Sequence, residues 1–210
     1  MRDEYRSIQA EARSTLKVEG SKFIASASPV EKRIEADDFL AATRKKYFDA
    51  THHSFAYAIG ADLQDFRYSD GGEPSGTAGI KIFSAIQAKD LSDLVVVVSR
   101  YFGGTKLGIG GLGRAYFDSA TLVLSEAAVI PKIVAEELEI TFPYDETNGV
   151  MTVLSRSQAK IKDTVYDDDV TLRVSIRKGK LETLTVDLKN VTRGNLSFKN
   201  LPPLGHSTKK

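Results

Sequence analysis

The run Leu-Val-Val-Val-Val at 94–98 is the strongest constraint that the sequence places on the fold. Five consecutive apolar residues, most of them β-branched, favour a strand that is buried on both faces and therefore lies inside a sheet. The stretch RYFGGTKLGIGGLGR at 100–114 follows almost directly. Because glycine loses more backbone freedom on folding than any other residue, so many glycines here indicate a structural or a binding requirement.

A helix is predicted after this glycine-rich segment, since Tyr116, Ala120 and Val123 repeat at helical spacing. The start of a helix exposes unpaired N–H groups and the positive end of its dipole, and glycine lets an anion approach them. An alternative is a purely structural crossover with close packing of strand and helix, in which Arg100 pairs with Asp70 or Glu73. The anion hypothesis assigns binding of phosphate or nucleic acid to Arg100, Gly103, Gly104, Lys106, Gly108, Gly110, Gly111, Gly113 and Arg114.

Two known phosphate-binding motifs do not fit this segment. The residues GIGGLG at 108–113 match the glycine spacing of dinucleotide-binding proteins, but residues 103–107 separate them from the strand. The acidic residue expected at the end of a second strand is also missing, because Glu136 and Glu137 open a strand instead. No Gly-Lys followed by Ser or Thr occurs, which excludes a Walker loop.

Composition limits the other possibilities. The chain carries 29 Lys and Arg against 28 Asp and Glu, so any contact with an anionic partner has to be local. It has no cysteine and 3 histidines, which excludes disulfides and thiolate chemistry and argues against a zinc site. We therefore predict no metal and no cofactor. No apolar run approaches the length of a membrane span, so we expect a soluble cytoplasmic protein without membrane contact.

The first half of the chain predicts a mixed α and β domain. Ala36, Phe39 and Leu40 belong to an apolar stripe that predicts a helix over about 35–47. Strands are predicted at 22–27 and 54–60, and 65–69 returns as the second arm of a hairpin. The turn-rich segment SDGGEPSGTAG at 69–79 follows, and a short helix is expected to begin near Ser75 or Thr77.

The second half has a different pattern, and the division falls near Pro131. Strand and helix periodicities give the order β-α-β-β-α-β, which is the ferredoxin-like plan. Val150, Met151 and Leu154 are predicted to share the apolar face of its first helix. We assign residues 1–130 to the first domain, 136–200 to the second and 201–210 to a flexible tail.

Four segments together resemble one protein family. The sequences SKFIA, DATHHSFAYAIG, SDGGEPSGTAG and VVVVSRYFGGTKLGIGGLGRAY, in this order, are similar to the Impact family of translation regulators, including its bacterial YigZ-type members. The resemblance implies an α+β protein with an S5-domain-2-like α/β domain, then a ferredoxin-like domain similar to the last domain of the translocating elongation factor. Two positions depart from the family pattern: Gly71 replaces a second acid, and Lys81 stands where proline is common.

The family motif implies a functional role for His52, Asp70, Glu73, Ser75 and Thr77. No complete catalytic pattern accompanies them, since the hydroxyls near His52 lack the surrounding motif of a serine nucleophile. Our leading hypothesis is a noncatalytic regulator that binds RNA, the ribosome or a translation factor through the glycine-rich segment. The alternatives are a protein-interaction module without nucleic-acid contact and a phosphate-ligand enzyme that uses Asp70 and Glu73.

Overall fold

The computed structural model describes residues 3–63 and 65–201, which form two compact units. The first unit is Glu4–Lys132, and the second comprises the chain from Ile133 onward together with Asp3. Of the tail predicted at 201–210, only Leu201 lies within the described ranges, and it ends a strand. In the described part of the chain, no helix is long and apolar enough to cross a membrane.

The first unit contains three helices and a five-stranded sheet. The sheet has the order β2-β3-β6-β4-β5 and is antiparallel throughout, while β1 and β7 pair separately. The elements are β1 (Glu4–Ile8), β2 (Ala12–Val18), β3 (Ser21–Pro29), α1 (Arg33–Lys46), β4 (His52–Ile59), β5 (Asp65–Ser69), α2 (Gly79–Ala88), β6 (Leu94–Tyr101), α3 (Gly108–Glu126) and β7 (Val129–Ile133).

The apolar run becomes the central strand β6, as predicted, with helices on both faces of the sheet. Val96 and Val98 face the side covered by α2 and α3, whereas Val95 and Val97 face α1. All four valines are fully buried. The alternation of side chains along a strand explains why this sequence needs apolar residues at every position.

Two local predictions in this unit were wrong, and two strands were not predicted. Helix α3 begins at Gly108, so the second part of the glycine-rich segment, residues 108–114, is helical and does not form a loop before the helix. Helix α2 begins at Gly79, later than expected, because residues 73–77 are occupied by turns. The strands β1 and β2 were not predicted, since their mostly polar residues lack an apolar period.

The second unit has the predicted β-α-β-β-α-β order. Its sheet order is β11-β8-β10-β9, antiparallel throughout, and one face packs on two helices. Met151 departs from its predicted position, because it is 41% exposed while Val150 and Leu154 are buried. The elements are β8 (Ala135–Phe142), α4 (Thr147–Ser157), β9 (Lys160–Tyr166), β10 (Val170–Arg177), α5 (Leu181–Val191) and β11 (Ser197–Leu201).

The core of the second unit supplies a direct test of its packing. Ile140 on β8 is fully buried between Leu172 and Phe198, whereas Ile161 on the edge strand β9 is 39% exposed. We expect Ile140→Ala to lower the free energy of unfolding by about 2–5 kcal/mol and the control Ile161→Ala by less than about 1 kcal/mol. Hydrogen exchange of the β10 amides measures the free energy of unfolding of both variants. An equal loss of stability in Ile140→Ala and Ile161→Ala would contradict the assigned core.

Candidate functional site

The backbone crosses itself closely at the end of β6. A Cβ on Gly103 would lie 1.9 Å from the carbonyl carbon of Gly20, so this position admits no side chain. The N–H of Gly103 donates to Ser21 Oγ at 3.2 Å and fixes the crossing. One glycine of the segment is therefore required by the approach of two backbones and not by a ligand.

A buried ion pair lies beneath the two glycine-containing segments. Arg100 Nη1 donates to Glu73 Oε1 at 2.8 Å, and the hydroxyl of Tyr116 donates to the same oxygen at 2.8 Å. The side chains of Glu73 and Arg100 are 3% and 7% exposed. His52 Nε2 lies 4.0 Å from the other carboxylate oxygen, and its Nδ1 lies 3.3 Å from the carbonyl oxygen of Gly71. Burial first, and then the neighbouring Glu73 carboxylate, raise the pKa of Tyr116, which stays a hydrogen-bond donor.

The guanidinium of Arg100 packs between two aromatic rings. It lies 5.4 Å from the centre of the Phe23 ring and 5.6 Å from that of Phe102. Its Nη2 also donates weakly to Ser21 Oγ at 3.4 Å, while its buried Nε has no hydrogen-bond partner among the described residues. Arg100 was predicted to bind an anion or to pair with an acid, and it forms the ion pair inside the domain.

Asp70 holds the start of α2. Its Oδ1 accepts hydrogen bonds from the N–H groups of Ala78 and Gly79 at 2.9 and 2.8 Å, and its Oδ2 accepts one from Gly76 at 2.9 Å. Burial alone would raise the pKa of this carboxyl, but the three backbone donors outweigh burial and lower the pKa. Asp70 thus neutralises the positive end of the α2 dipole.

These contacts engage both acids of the SDGGEPSGTAG segment. Asp70 accepts from backbone donors and Glu73 from Arg100 and Tyr116, so neither carboxylate is free to coordinate a hard cation. Among the residues that the structure describes, no group of three potential ligands could hold a metal.

Thr77 Oγ1 donates to the carbonyl of Pro74 at 2.6 Å, and Ser75 is exposed. Within the described ranges, no hydrogen bond joins His52 to either hydroxyl.

The start of α3 contrasts with that of α2. Among the described residues, no side chain caps it and its first turn contains no acidic residue, so it lacks the kind of carboxylate that Asp70 supplies to α2. A Cβ on Gly110 would meet nothing within 4 Å, and Gly110 lies in helical backbone with a negative φ. Alanine there would favour the helix by about 0.5–1 kcal/mol, so packing does not explain this glycine.

Three cationic side chains surround this helix start. A groove of about 490 Å³ between α2 and α3 is lined by Lys81, Gly110, Gly113 and Arg114, among others. Lys81 packs over Gly113, where an added Cβ would lie 3.3 Å from the lysine Cε. Arg114 is 85% exposed and makes only a 3.6 Å surface contact with Asp118. Such a contact contributes little in water, so Arg114 remains available to an anion.

Lys106 lies on the other side of the helix start. It lines a pocket of about 240 Å³ together with Glu73, Arg100, Phe102 and Leu112. Lys106 is exposed and forms no ion pair with any residue in 3–63 or 65–201. The exposed side chain of Ile109 contributes to both the groove and this pocket, so they adjoin at the first turn of α3.

The predicted residues therefore divide into two sets. The first set lies around the start of α3 and consists of the exposed residues Lys106, Gly108, Gly110, Gly111 and Arg114 together with Gly113, which is buried beneath Lys81. The second set forms the structure below or beside it and consists of His52, Asp70, Glu73, Ser75, Thr77, Arg100, Gly103 and Gly104. Sequence reasoning did not assign Lys81 to the site; only a prediction that α2 packs against the glycine face of α3 would have indicated it.

The role of Asp70 predicts a pH-dependent stability. Asp70→Ala should lower the free energy of unfolding by about 1–2 kcal/mol at neutral pH, because three N–H groups at α2 lose their acceptor. The folded-state pKa of Asp70 is lowered, so this contribution is complete above the unfolded value of 3.8 and disappears as the pH falls through the folded-state pKa. Urea unfolding at neutral pH and at a pH below the folded-state pKa of Asp70, well under 3.8, measures the difference, and an undiminished difference at the lower pH would contradict the capping role.

The departure at Gly71 has a steric explanation with its own test. Gly71 has a φ of +60°, and a Cβ there would lie 2.0 Å from the carbonyl oxygen of His53. Gly76 has a φ of +77° but open space around it. We expect Gly76→Ala to cost about 1–2 kcal/mol, from the left-handed backbone alone, and Gly71→Ala to cost more than about 3 kcal/mol. Equal losses of thermal stability in the two variants would show that the contact at Gly71 relaxes freely.

Comparison with known proteins places the chain in a family. The model described as the Impact N-terminal domain matches residues 19–124, and the model described as a domain of unknown function, DUF1949, matches residues 140–195. A Thermus thermophilus protein named "IMPACT family member in pol 5'region" is 36% identical over 85% of this chain and 97% of its own length. The IMPACT family member YvyE of Bacillus subtilis is 30% identical over 93% of this chain and 90% of its own. A solved structure of a hypothetical protein has a TM-score of 0.72 at 27% identity and covers 97% of this chain and 100% of its own. The chain belongs to the IMPACT family.

Proposed function

We propose that this protein is a noncatalytic, translation-associated regulator that binds RNA phosphate at the start of α3. The ligand site consists of the groove with Lys81 and Arg114, the exposed backbone at Gly110 and the adjoining Lys106. The Impact-type first domain contributes this site, and the ferredoxin-like second domain docks on the ribosome or on a translation protein.

The observation that carries the proposal is the difference between two neighbouring helix starts. Helix α2 has an aspartate that accepts from three backbone sites, whereas α3 has no acidic cap and is surrounded by cations. Cations beside a helix N-terminus are unfavourable for the helix itself. An anion between them would reverse this cost, because it accepts from the free N–H groups and pairs with Lys81 and Arg114.

Family membership and charge favour RNA as the source of the phosphate. The IMPACT resemblance implies a role in translation, and the partners available to such a protein are RNA, ribosomes and translation factors. The formal net charge is +1, so a local cationic groove, not a global field, has to provide the attraction. Backbone phosphates are recognised in this way without base-specific contacts.

We propose no catalytic role because both acids of the turn segment, Asp70 and Glu73, are engaged in structural contacts. A phosphate-ligand enzyme would need Asp70 or Glu73 to activate a nucleophile or to hold a metal. Asp70 caps α2 and Glu73 is paired with Arg100 and Tyr116 in the interior. Breaking either set of contacts would destabilise the segment that leads into α2, so we assign both carboxylates to structure.

Sedimentation with purified ribosomes across a salt series tests the proposal. We expect binding that weakens as salt rises, and Lys106→Ala/Arg114→Ala should lower the slope of log K against log salt by about one for each lost contact. The matched control is Lys32→Ala/Arg33→Ala, which removes one lysine and one arginine at the start of α1, and it should behave as the wild type. Equal slopes for the site variant and the control, or no binding at low salt, would contradict the proposal.

A second candidate, a protein-interaction module, is favoured by one feature of the second unit. Tyr144 and Tyr166 are 69% and 65% exposed, and their ring centres lie 6.5 Å apart. Exposed tyrosines are common anchors at protein interfaces. Under this alternative, sedimentation would be insensitive to salt and to Lys106→Ala/Arg114→Ala, but would be lost in Tyr144→Ala/Tyr166→Ala.

A further inference from the structure

A row of cationic and aromatic side chains crosses the sheet of the first unit on the face that also carries α1. Lys17 of β2 lies directly opposite Lys22 of β3, and Lys22 lies directly opposite Tyr101 of β6. The Nζ of Lys22 is 5.3 Å from the centre of the Tyr101 ring. Both lysines are exposed. This row is at the same end of the sheet as the glycine-rich segment, but Tyr101 points to the opposite face from Arg100 because side chains alternate along β6.

The end of α1 continues the row. The ring of Tyr47, which follows α1, lies 6.0 Å from the guanidinium carbon of Arg13 and 5.7 Å from Lys46 Nζ. The hydroxyl of Tyr101 donates to Asp49 at 2.7 Å, which joins the segment after α1 to β6. We call this surface the lysine–tyrosine face; it consists of Arg13, Lys17, Lys22, Lys46, Tyr47 and Tyr101.

The carboxylate of Asp49 contacts the lysine–tyrosine face through the Tyr101 hydroxyl and not through its cations. None of Arg13, Lys17, Lys22 and Lys46 forms an ion pair with a residue that the structure describes. Like charges directly opposite each other on neighbouring strands are destabilising, so the pair Lys17 and Lys22 reduces the stability of the β2–β3 hairpin. The cation–π contacts of Lys22 with Tyr101 and of Arg13 with Tyr47 offset part of this cost, and an anionic ligand would neutralise the remaining charge.

An exposed aromatic ring adjoins the face. Phe48 is 83% exposed and lies between Tyr47 and Asp49 in the chain, both of which contact the face. A phenylalanine this exposed makes little contribution to a core, but its ring is a platform on which a base can stack. A cationic track beside a free aromatic ring is the combination found in surfaces that bind single-stranded nucleic acid.

A histidine on the same side of the sheet stays uncharged. His53 lies on β4 opposite Ser99 of β6, with its Nδ1 2.9 Å from Ser99 Oγ. Burial first, and then the charge of Arg44, lower the pKa of His53, so its ring is neutral at physiological pH and adds no further cation. The face thus combines fixed lysine and arginine charges with polar groups that stay uncharged.

We propose that the lysine–tyrosine face is a second RNA-binding surface, which holds single-stranded RNA with its phosphates on Arg13, Lys17, Lys22 and Lys46. A base stacks on Phe48. This inference rests on the proposed function, because it takes the partner to be RNA. The contacts it proposes lie on the face of the sheet opposite the groove at α3. RNA bound at both sites would pass around the end of the sheet where β6 ends.

Fluorescence anisotropy with a labelled single-stranded oligouridylate, across a salt series, tests this surface. We expect Lys17→Ala/Lys22→Ala to lower the salt slope by about two, one for each phosphate contact, while thermal stability stays the same or rises because the facing charges are gone. Phe48→Ala should weaken binding about tenfold at fixed salt, with no change of fold, through loss of stacking. The control Lys32→Ala/Arg33→Ala should match the wild type.

The outcomes separate this inference from the proposed function. Loss of binding in Lys106→Ala/Arg114→Ala alone would overturn the second surface and leave the groove at α3. Loss in Lys17→Ala/Lys22→Ala alone would support the second surface and contradict the groove. No difference between either variant and the control would overturn both. Unchanged affinity in Phe48→Ala, or competition by polyglutamate as effective as that by unlabelled RNA, would overturn the assignment to single-stranded RNA.

Discussion

The buried ion pair between Glu73 and Arg100 is the interaction on which the arrangement of the site depends. It joins the turn segment before α2 to the end of the central strand, and Tyr116 extends it to α3. Removal of one member would leave an unpaired charge in the interior, at a cost of about 3–5 kcal/mol. Because the three elements meet at one carboxylate, the starts of α2 and α3 are held next to each other, with Lys81 over Gly113.

This arrangement separates structural groups from groups that are free to bind. The acids of the turn segment and Arg100 face inward, where aspartate caps one helix and glutamate neutralises the arginine. The cations that remain on the surface, at the start of α3 and on the lysine–tyrosine face, have no comparable partners. Phosphate would satisfy the first of these sites through both charge and free N–H groups. At both proposed RNA contacts, unpaired cations lie beside a stacking or hydrogen-bonding group.

Sequence periodicity predicted the strands that are buried on both faces and those that are buried on one face. The strand β6 and the alternation of Val170, Leu172 and Val174 in β10 belong to this class, as does the ferredoxin-like order of the second unit. Periodicity could not predict β1 and β2, which are mostly polar without a regular apolar alternation and are held by pairing to other strands. Glycine content misled the prediction of α3, because tertiary packing against α2 overrides the low helix propensity of its first two turns.

The sequence indicated many residues of the candidate site but did not indicate what each of them does. The partner of Arg100 was left open between Asp70 and Glu73, since only the path of the turn decides which carboxylate reaches the end of β6. Gly103 was predicted to contact an anion, but its requirement comes from Gly20, which is distant in sequence. Contacts of this kind join segments that no local pattern relates, which is also why Lys81 and the lysine–tyrosine face were not predicted.

In the proposed function, RNA phosphate binds at the uncapped start of α3. The most direct measurement is an NMR titration of the isotopically labelled full chain with single-stranded RNA, followed through the backbone amides. The account predicts that the amides of Gly108, Ile109 and Gly110 shift most and saturate, while those of Ala78 and Gly79, already bonded to Asp70, change little. Shifts that avoid the start of α3 while residues elsewhere respond would contradict the account.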